Sequence, residues 1–99
     1  MHIITESRLR EFWRIYPDSE SSLRSWYKLT KQANWLNLVE IRRVFPAADL
    51  VGNLTVFNIS GNKYRLIAKI NYKVKRVYIR AILTHKEYDE QKWKQDSWY

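Results

Sequence analysis

Three side chains in the second half of this chain have the types and spacing for chemistry on a phosphodiester: Arg65, His85 and Tyr88. Histidine is the side chain whose proton moves most readily near neutral pH. Arginine presents a planar fork of donors that matches phosphate oxygens. Tyr88 stands three residues after His85, which on a helix puts both on one face, where the phenol could stack on a base or orient the imidazole. Metal-free RNA cleavage needs few parts, because the substrate's own 2′-hydroxyl attacks the adjacent phosphate. The protein must orient the backbone, stabilise charge on the phosphate and move protons. Arg65 suits the phosphate. His85, at a helix start whose free N–H groups also favour an anion, suits the leaving oxygen.

The surrounding charge fits a polyanionic partner. From Leu50 to Lys86 there is no acidic residue and there are eight basic ones: Lys63, Arg65, Lys69, Lys73, Lys75, Arg76, Arg80 and Lys86. The whole chain carries 18 basic and 10 acidic residues, a net charge of +8. An uncompensated basic surface attracts nucleic acid, and Asn58, Lys63, Lys69, Lys73, Arg76 and Arg80 are the candidate RNA contacts. Apolar content of 45%, with 15% aromatic residues, describes a packed core rather than disorder. Ninety-nine residues suit one domain spanning 1–99. There is no cysteine, so no disulfide and no zinc–thiolate site is expected; the candidate cleavage chemistry itself needs neither metal nor cofactor. No apolar run is long enough for a membrane span and no leader pattern opens the chain, so a cytoplasmic protein without membrane contact is expected.

Hydrophobic spacing supplies the elements that must hold these residues. His2-Ile3-Ile4 reads as a short strand, with Thr5 able to cap the next helix. Leu9, Phe12, Trp13 and Tyr16 mark one helical face, and Leu23, Trp26, Tyr27 and Thr30 mark another. The break at Pro17-Asp18 predicts a helical hairpin ending near Ala33. Asn37 to Glu40 resembles a capping box that starts a short helix stopped by Pro46. Strands are expected at 49–52, 54–60, 64–72 and 77–83, with turns at Gly61-Asn62 and Val74-Lys75. Thr84 and Glu87 form a capping box for a short C-terminal helix. The fold class is α+β, with a short N-terminal strand and a helical hairpin on one face of a mostly antiparallel sheet.

Register then assigns faces. Pairing Ser60 with Lys63 sets Phe57 opposite Leu66 and Asn58 opposite Arg65. Pairing Lys73 with Arg76 sets Leu66 opposite Leu83 and Arg65 opposite Thr84. Phe57, Ile59, Leu66, Ala68, Ile70, Val77, Ile79, Ala81 and Leu83 would face the helices. Asn58, Arg65 and Thr84 would form a polar row on the other, basic face, with His85 where that row meets the helix.

The blocks Val56-Phe57-Asn58-Ile59, Gly61-Asn62-Lys63-Tyr64-Arg65, Tyr78-Ile79-Arg80 and Thr84-His85-Lys86-Glu87-Tyr88-Asp89 resemble the HigB toxins of bacterial type II toxin–antitoxin systems. So do the opening Met1-His2-Ile3-Ile4-Thr5 and the Val44-Phe45-Pro46 turn. HigB toxins belong to the RelE/ParE-like superfamily. The resemblance implies a RelE-like fold and a metal-independent mRNA interferase that enters the ribosomal A site and cuts translated mRNA. It implies a HigA-type helix-turn-helix antitoxin as partner, with operator DNA reached only through the toxin–antitoxin complex. It places Arg65 as the phosphate-contacting arginine, His85 as the general acid and Tyr88 near a C-terminal tyrosine of the RelE and YoeB toxins. Val56 and Asn58 stand where RelE carries lysines, and no glutamate base aligns. Glu40 could stand in for it but reads as a cap, so the general base is left unassigned, with Lys63 one candidate. The residues alone leave room for a non-catalytic RNA- or ribosome-binding module, and the superfamily also contains ParE-like gyrase poisons.

Overall fold

In a computed structural model describing residues 1–99, the chain runs β1 (His2–Ile4), α1 (Ser7–Ile15), a 3-10 turn (Pro17–Ser19), α2 (Glu20–Gln32), α3 (Leu38–Val44), β2 (Asp49–Val51), β3 (Leu54–Ile59), β4 (Tyr64–Asn71), β5 (Arg76–Thr84), α4 (His85–Asp89) and a second 3-10 turn (Lys92–Gln95). The five strands form one sheet in the order β1-β5-β4-β3-β2, antiparallel except for β1 against β5. This is the α+β arrangement expected, with the helical hairpin and the C-terminal helix in their expected places.

The apolar stripes of α1 and α2 account for the packing. Leu9, Phe12, Leu23 and Trp26 are buried against Phe57, Leu66, Ala68 and Val77 of the sheet. Phe57 is the centre: Trp26 meets it edge-on at 5.5 Å, Phe45 edge-on at 5.4 Å, and Trp35 stacks at 6.5 Å. Asn37 caps α3 by accepting from the Glu40 N–H. The Glu40 carboxylate accepts from the Leu36 N–H, so this residue serves the loop before α3 and lies outside the catalytic constellation. Glu6, not Thr5, occupies the N-cap position of α1, and no side chain caps that helix.

The β3–β4 register is the one expected, with Asn58 opposite Arg65 and Phe57 opposite Leu66. The β4–β5 register is not. Asn71, rather than Lys73, pairs with Arg76, because Tyr72 to Lys75 form a four-residue turn. The Asn71 carboxamide accepts from the Lys73 and Val74 N–H groups, and Lys75 takes a left-handed φ of 59°. Further along, Ala68 pairs with Ile79 and Ile67 with Ala81, so Arg80 is an extra residue in β5. Such a bulge reverses which face each following side chain meets. Ala81 and Leu83 therefore leave the helix side, and Ile82 takes their place against the main core. The row across the sheet is Asn58–Arg65–Leu83, and Thr84 pairs with Tyr64 instead.

The second face is also partly covered. Leu54, Val56 and Ile67 pack against Trp93 in the C-terminal tail, with Ala81, Leu83, Tyr88 and Tyr99 around them. The Trp93 indole N–H donates to the Tyr88 carbonyl, and the Asn53 N–H donates to the Tyr99 carbonyl. Trp93 is thus the tail's anchor. Trp93→Ala is expected to cost about 3 kcal/mol, read as a lower urea midpoint, and to speed proteolysis after Tyr88 before the rest of the fold opens.

Candidate active site

Arg65, the second residue of β4, is held beside the β3–β4 hairpin turn with only 8% of its surface exposed. Its Nη1 donates to the carbonyls of Asn62 (2.9 Å) and Tyr64 (3.1 Å), and its Nη2 donates to the Asn62 side-chain oxygen (2.6 Å). All three acceptors are neutral. No carboxylate balances this buried charge, although burying an unpaired cation is costly. Three of the five guanidinium donors are thereby used, and Nε and one Nη2 hydrogen remain. A partly engaged, oriented, uncompensated arginine is suited to an incoming phosphate.

Tyr88 closes one side of that guanidinium. Its ring centroid lies 5.2 Å from the Arg65 Cζ, and on the other side it stacks on Trp93 at 5.3 Å, nearly parallel. The α4 start brings His85 to the same place. Thr84 and Glu87 form a complete capping box, which fixes the helix entry. The His85 N–H donates to the Lys63 carbonyl, which ties the helix start to the end of the β3–β4 hairpin. The His85 imidazole Nδ1 lies 2.9 Å from the Asp89 carboxylate one turn on. A carboxylate on Nδ1 orients the ring and leaves Nε2 toward solvent for a substrate. Asn58 is exposed beside Arg65 on the same face.

The structure thus brings together Arg65, His85, Tyr88 and Asn58, and sends the other expected contacts elsewhere. Lys63 is paired with Asp18, whose other oxygen accepts from the Tyr64 hydroxyl at 2.6 Å. The Asp18 hydrogen bond holds the Lys63 ammonium pKa above its ordinary range, which disfavours the base role considered for it. Arg80 makes a two-point pair with Asp96 at 3.0 and 3.2 Å and lies 4.0 Å from the Trp98 ring. Lys69 reaches the Asn53 carbonyl at 3.4 Å. Lys73 and Arg76 flank the far end of the β4–β5 hairpin, about 20 Å from Arg65 at ~3.3 Å per residue. The basic face is therefore two regions, one at each end of the strands. Asp89, Asn62 and Asp18 were not among the site residues expected, though the His85–Asp89 spacing of four was a visible signal.

The Asp18 cluster has a pH signature. The Lys63 hydrogen bond, then that of Tyr64, lowers the Asp18 pKa below 3.8, while the bond to Asp18 raises Tyr64 above 10.0 and Lys63 above 10.5. The carboxylate contribution is present above its unfolded value and lost as pH falls through the lower folded one. The tyrosine and lysine contributions are present below their unfolded values and lost as pH rises through the higher folded ones. Asp18→Asn is expected to lower stability modestly at neutral pH and to reduce the fall in stability at both the acid and alkaline ends, as read from urea midpoints across pH.

The fold and the site together define a class: a small basic α+β domain with a buried, uncompensated arginine and a carboxylate-oriented histidine at one end of its sheet. Residues 19–91 match the family model of HigB toxins, described as the RelE-like toxic component of a toxin–antitoxin system, and the chain belongs to that family. It is 34% identical over 93 residues to the mRNA interferase HigB of Escherichia coli O6:H1, covering 91% of this chain and 90% of that one. It is 32% identical over 92 residues to the mRNA interferase toxin HigB of Escherichia coli K12 and to the mRNA interferase HigB of Shigella flexneri, covering 90% of this chain and 88% of each relative.

Proposed function

We propose that the chain, acting as one toxin domain over residues 1–99, is a ribosome-dependent mRNA interferase, an endoribonuclease that cuts translated mRNA without a metal. The observation that carries this reading is Arg65, a buried cation fixed by neutral acceptors with two donors to spare. The substrate's 2′-hydroxyl gives up its proton to solvent water as it attacks the adjacent phosphorus, and the bond to the 5′-oxygen breaks, leaving a 2′,3′-cyclic phosphate. Arg65 stabilises the charge that develops on the non-bridging oxygens. His85, oriented by Asp89, donates a proton to the departing 5′-oxygen. Tyr88, whose ring is held between Arg65 and Trp93 and so has no face left for the base stacking expected of it, limits the motion of the guanidinium. Asn58, exposed beside Arg65, contacts the backbone or a base edge. Since little of the machinery activates the nucleophile, placing the message in a reactive geometry falls to the ribosomal A site.

Toxin-family membership implies an antitoxin, for which a HigA-type helix-turn-helix protein is the proposed form, with operator DNA contacted through the complex. No helix is long and apolar enough to cross a membrane, and action on translating ribosomes places the protein in the cytoplasm. Pulse-labelling after induction tests the reading against a gyrase poison. Protein synthesis should stop while DNA synthesis continues, and upstream RNA fragments should carry cyclic phosphate. Arrest of DNA synthesis first, with intact message, would overturn it.

A further inference from the structure

The far half of the second sheet face holds a concave surface that the cleavage centre does not use. A shallow cavity of about 350 Å³ is lined by Lys69, Asn71, Tyr78 and Trp98, with no acidic side chain. Trp98 is 38% exposed, yet its position is fixed. Its backbone N–H donates to Asp96 at 2.7 Å, Asp96 is bound at two points by Arg80, and the Arg80 guanidinium lies over the indole. The Tyr78 ring meets the indole edge-on at 5.2 Å. Arg80 is thus occupied as the floor beneath Trp98, which keeps a rigid aromatic surface at low entropy cost. Asn71 spends its carboxamide oxygen on the turn, and its NH2 has no partner, so it is free to donate. Lys69 keeps donors to spare beyond its single 3.4 Å contact.

We infer that Trp98, Tyr78, Lys69 and Asn71 form a second nucleotide-binding subsite, which takes an unpaired base of single-stranded RNA. The base stacks on Trp98, the Asn71 amide donates to its edge, and Lys69 meets a phosphate. The inference rests on the proposed RNA-directed function and extends it to the substrate's flanking nucleotides. Lys69 and Arg65 lie on the same face of β4, four residues apart. That is about 13 Å at ~3.3 Å per residue, a span of roughly four stacked nucleotides. The Trp93 anchor lies between the two sites, so a strand touching both must pass over the tail.

The test is carried out in the uncleaving His85→Ala background, where binding is read apart from cleavage. One arm measures fluorescence anisotropy of a labelled single-stranded RNA of about a dozen nucleotides at low salt; the other measures co-sedimentation with ribosomes lacking message. Trp98→Ala is expected to weaken binding about 5- to 150-fold, by the loss of one base–aromatic stack, with Trp98→Phe restoring most of it. Lys69→Ala, which leaves the Arg80–Asp96–Trp98 assembly intact, should weaken it severalfold. Loss with the oligonucleotide alone places the base in the message, and loss with ribosomes places it in ribosomal RNA. Unchanged binding in both arms for Trp98→Ala and Lys69→Ala, no RNA binding by the parent, or loss of antitoxin binding alone would overturn the proposal. Because cleavage by the wild type is scored separately, failure here is distinguishable from failure of the interferase reading.

Discussion

Arg65→Ala is expected to reduce cleavage of translated message by about 10²–10³-fold while leaving the fold within about 1 kcal/mol of the parent. The two effects separate because of how the residue is held. A buried arginine that served the fold would face a carboxylate, and its removal would strand that charge. Arg65 faces only the Asn62 and Tyr64 carbonyls and the Asn62 carboxamide, and Asn62 is exposed to water. Removing the cation forfeits these hydrogen bonds and the Tyr88 contact but relieves the cost of a desolvated charge. Arg65→Met should therefore keep or raise the thermal midpoint. Arg65→Lys should not restore activity, since one ammonium cannot span the three acceptors and still present a fork. Single-round cleavage on programmed ribosomes, beside thermal unfolding, reads both quantities. A large loss of stability with retained cleavage would make Arg65 a structural residue.

The second large effect is expected at His85. His85→Ala should lower cleavage by about 10²–10⁴-fold, the range for a lost general acid, with little change in stability. The side chain is about half exposed, and the helix start is fixed by Thr84 and Glu87 rather than by the imidazole. Asp89→Asn should cost less, up to about tenfold, because it frees the ring to rotate while the acid remains. Equal losses for the two variants would indicate that the pair acts through the fold of α4. An Asp89→Asn protein as active as wild type would remove the positioning role and leave His85 alone.

Much of this arrangement was legible in the chain because several local features agreed. Gly61-Asn62 fixed the β3–β4 register, and with it the pairing of Asn58 with Arg65. The stripes Leu9-Phe12 and Leu23-Trp26 gave the helical hairpin, and Thr84-x-x-Glu87 placed His85 at a helix start. The β4–β5 register escaped because the Tyr72–Lys75 turn has no glycine, and the left-handed φ falls on Lys75. The bulge at Arg80 escaped because β5 is apolar on both sides of it. A strand whose two faces are both covered carries no alternation to betray a slip. The same double coverage hid the tail: Trp93 buries the second face, and nothing in the spacing of the last ten residues required that. Charge counting could not show that Lys63 and Arg80 are held by Asp18 and Asp96, since those partners lie 45 and 16 residues away in sequence.

The central claim is that this site cuts message during translation. Its most direct test is mapping mRNA 5′ ends after brief induction of wild type and His85→Ala, each with translation running and with initiation blocked. New ends inside coding regions, in wild type only and only while ribosomes translate, are the predicted result. Growth arrest without new ends, or the same ends from His85→Ala, would contradict it.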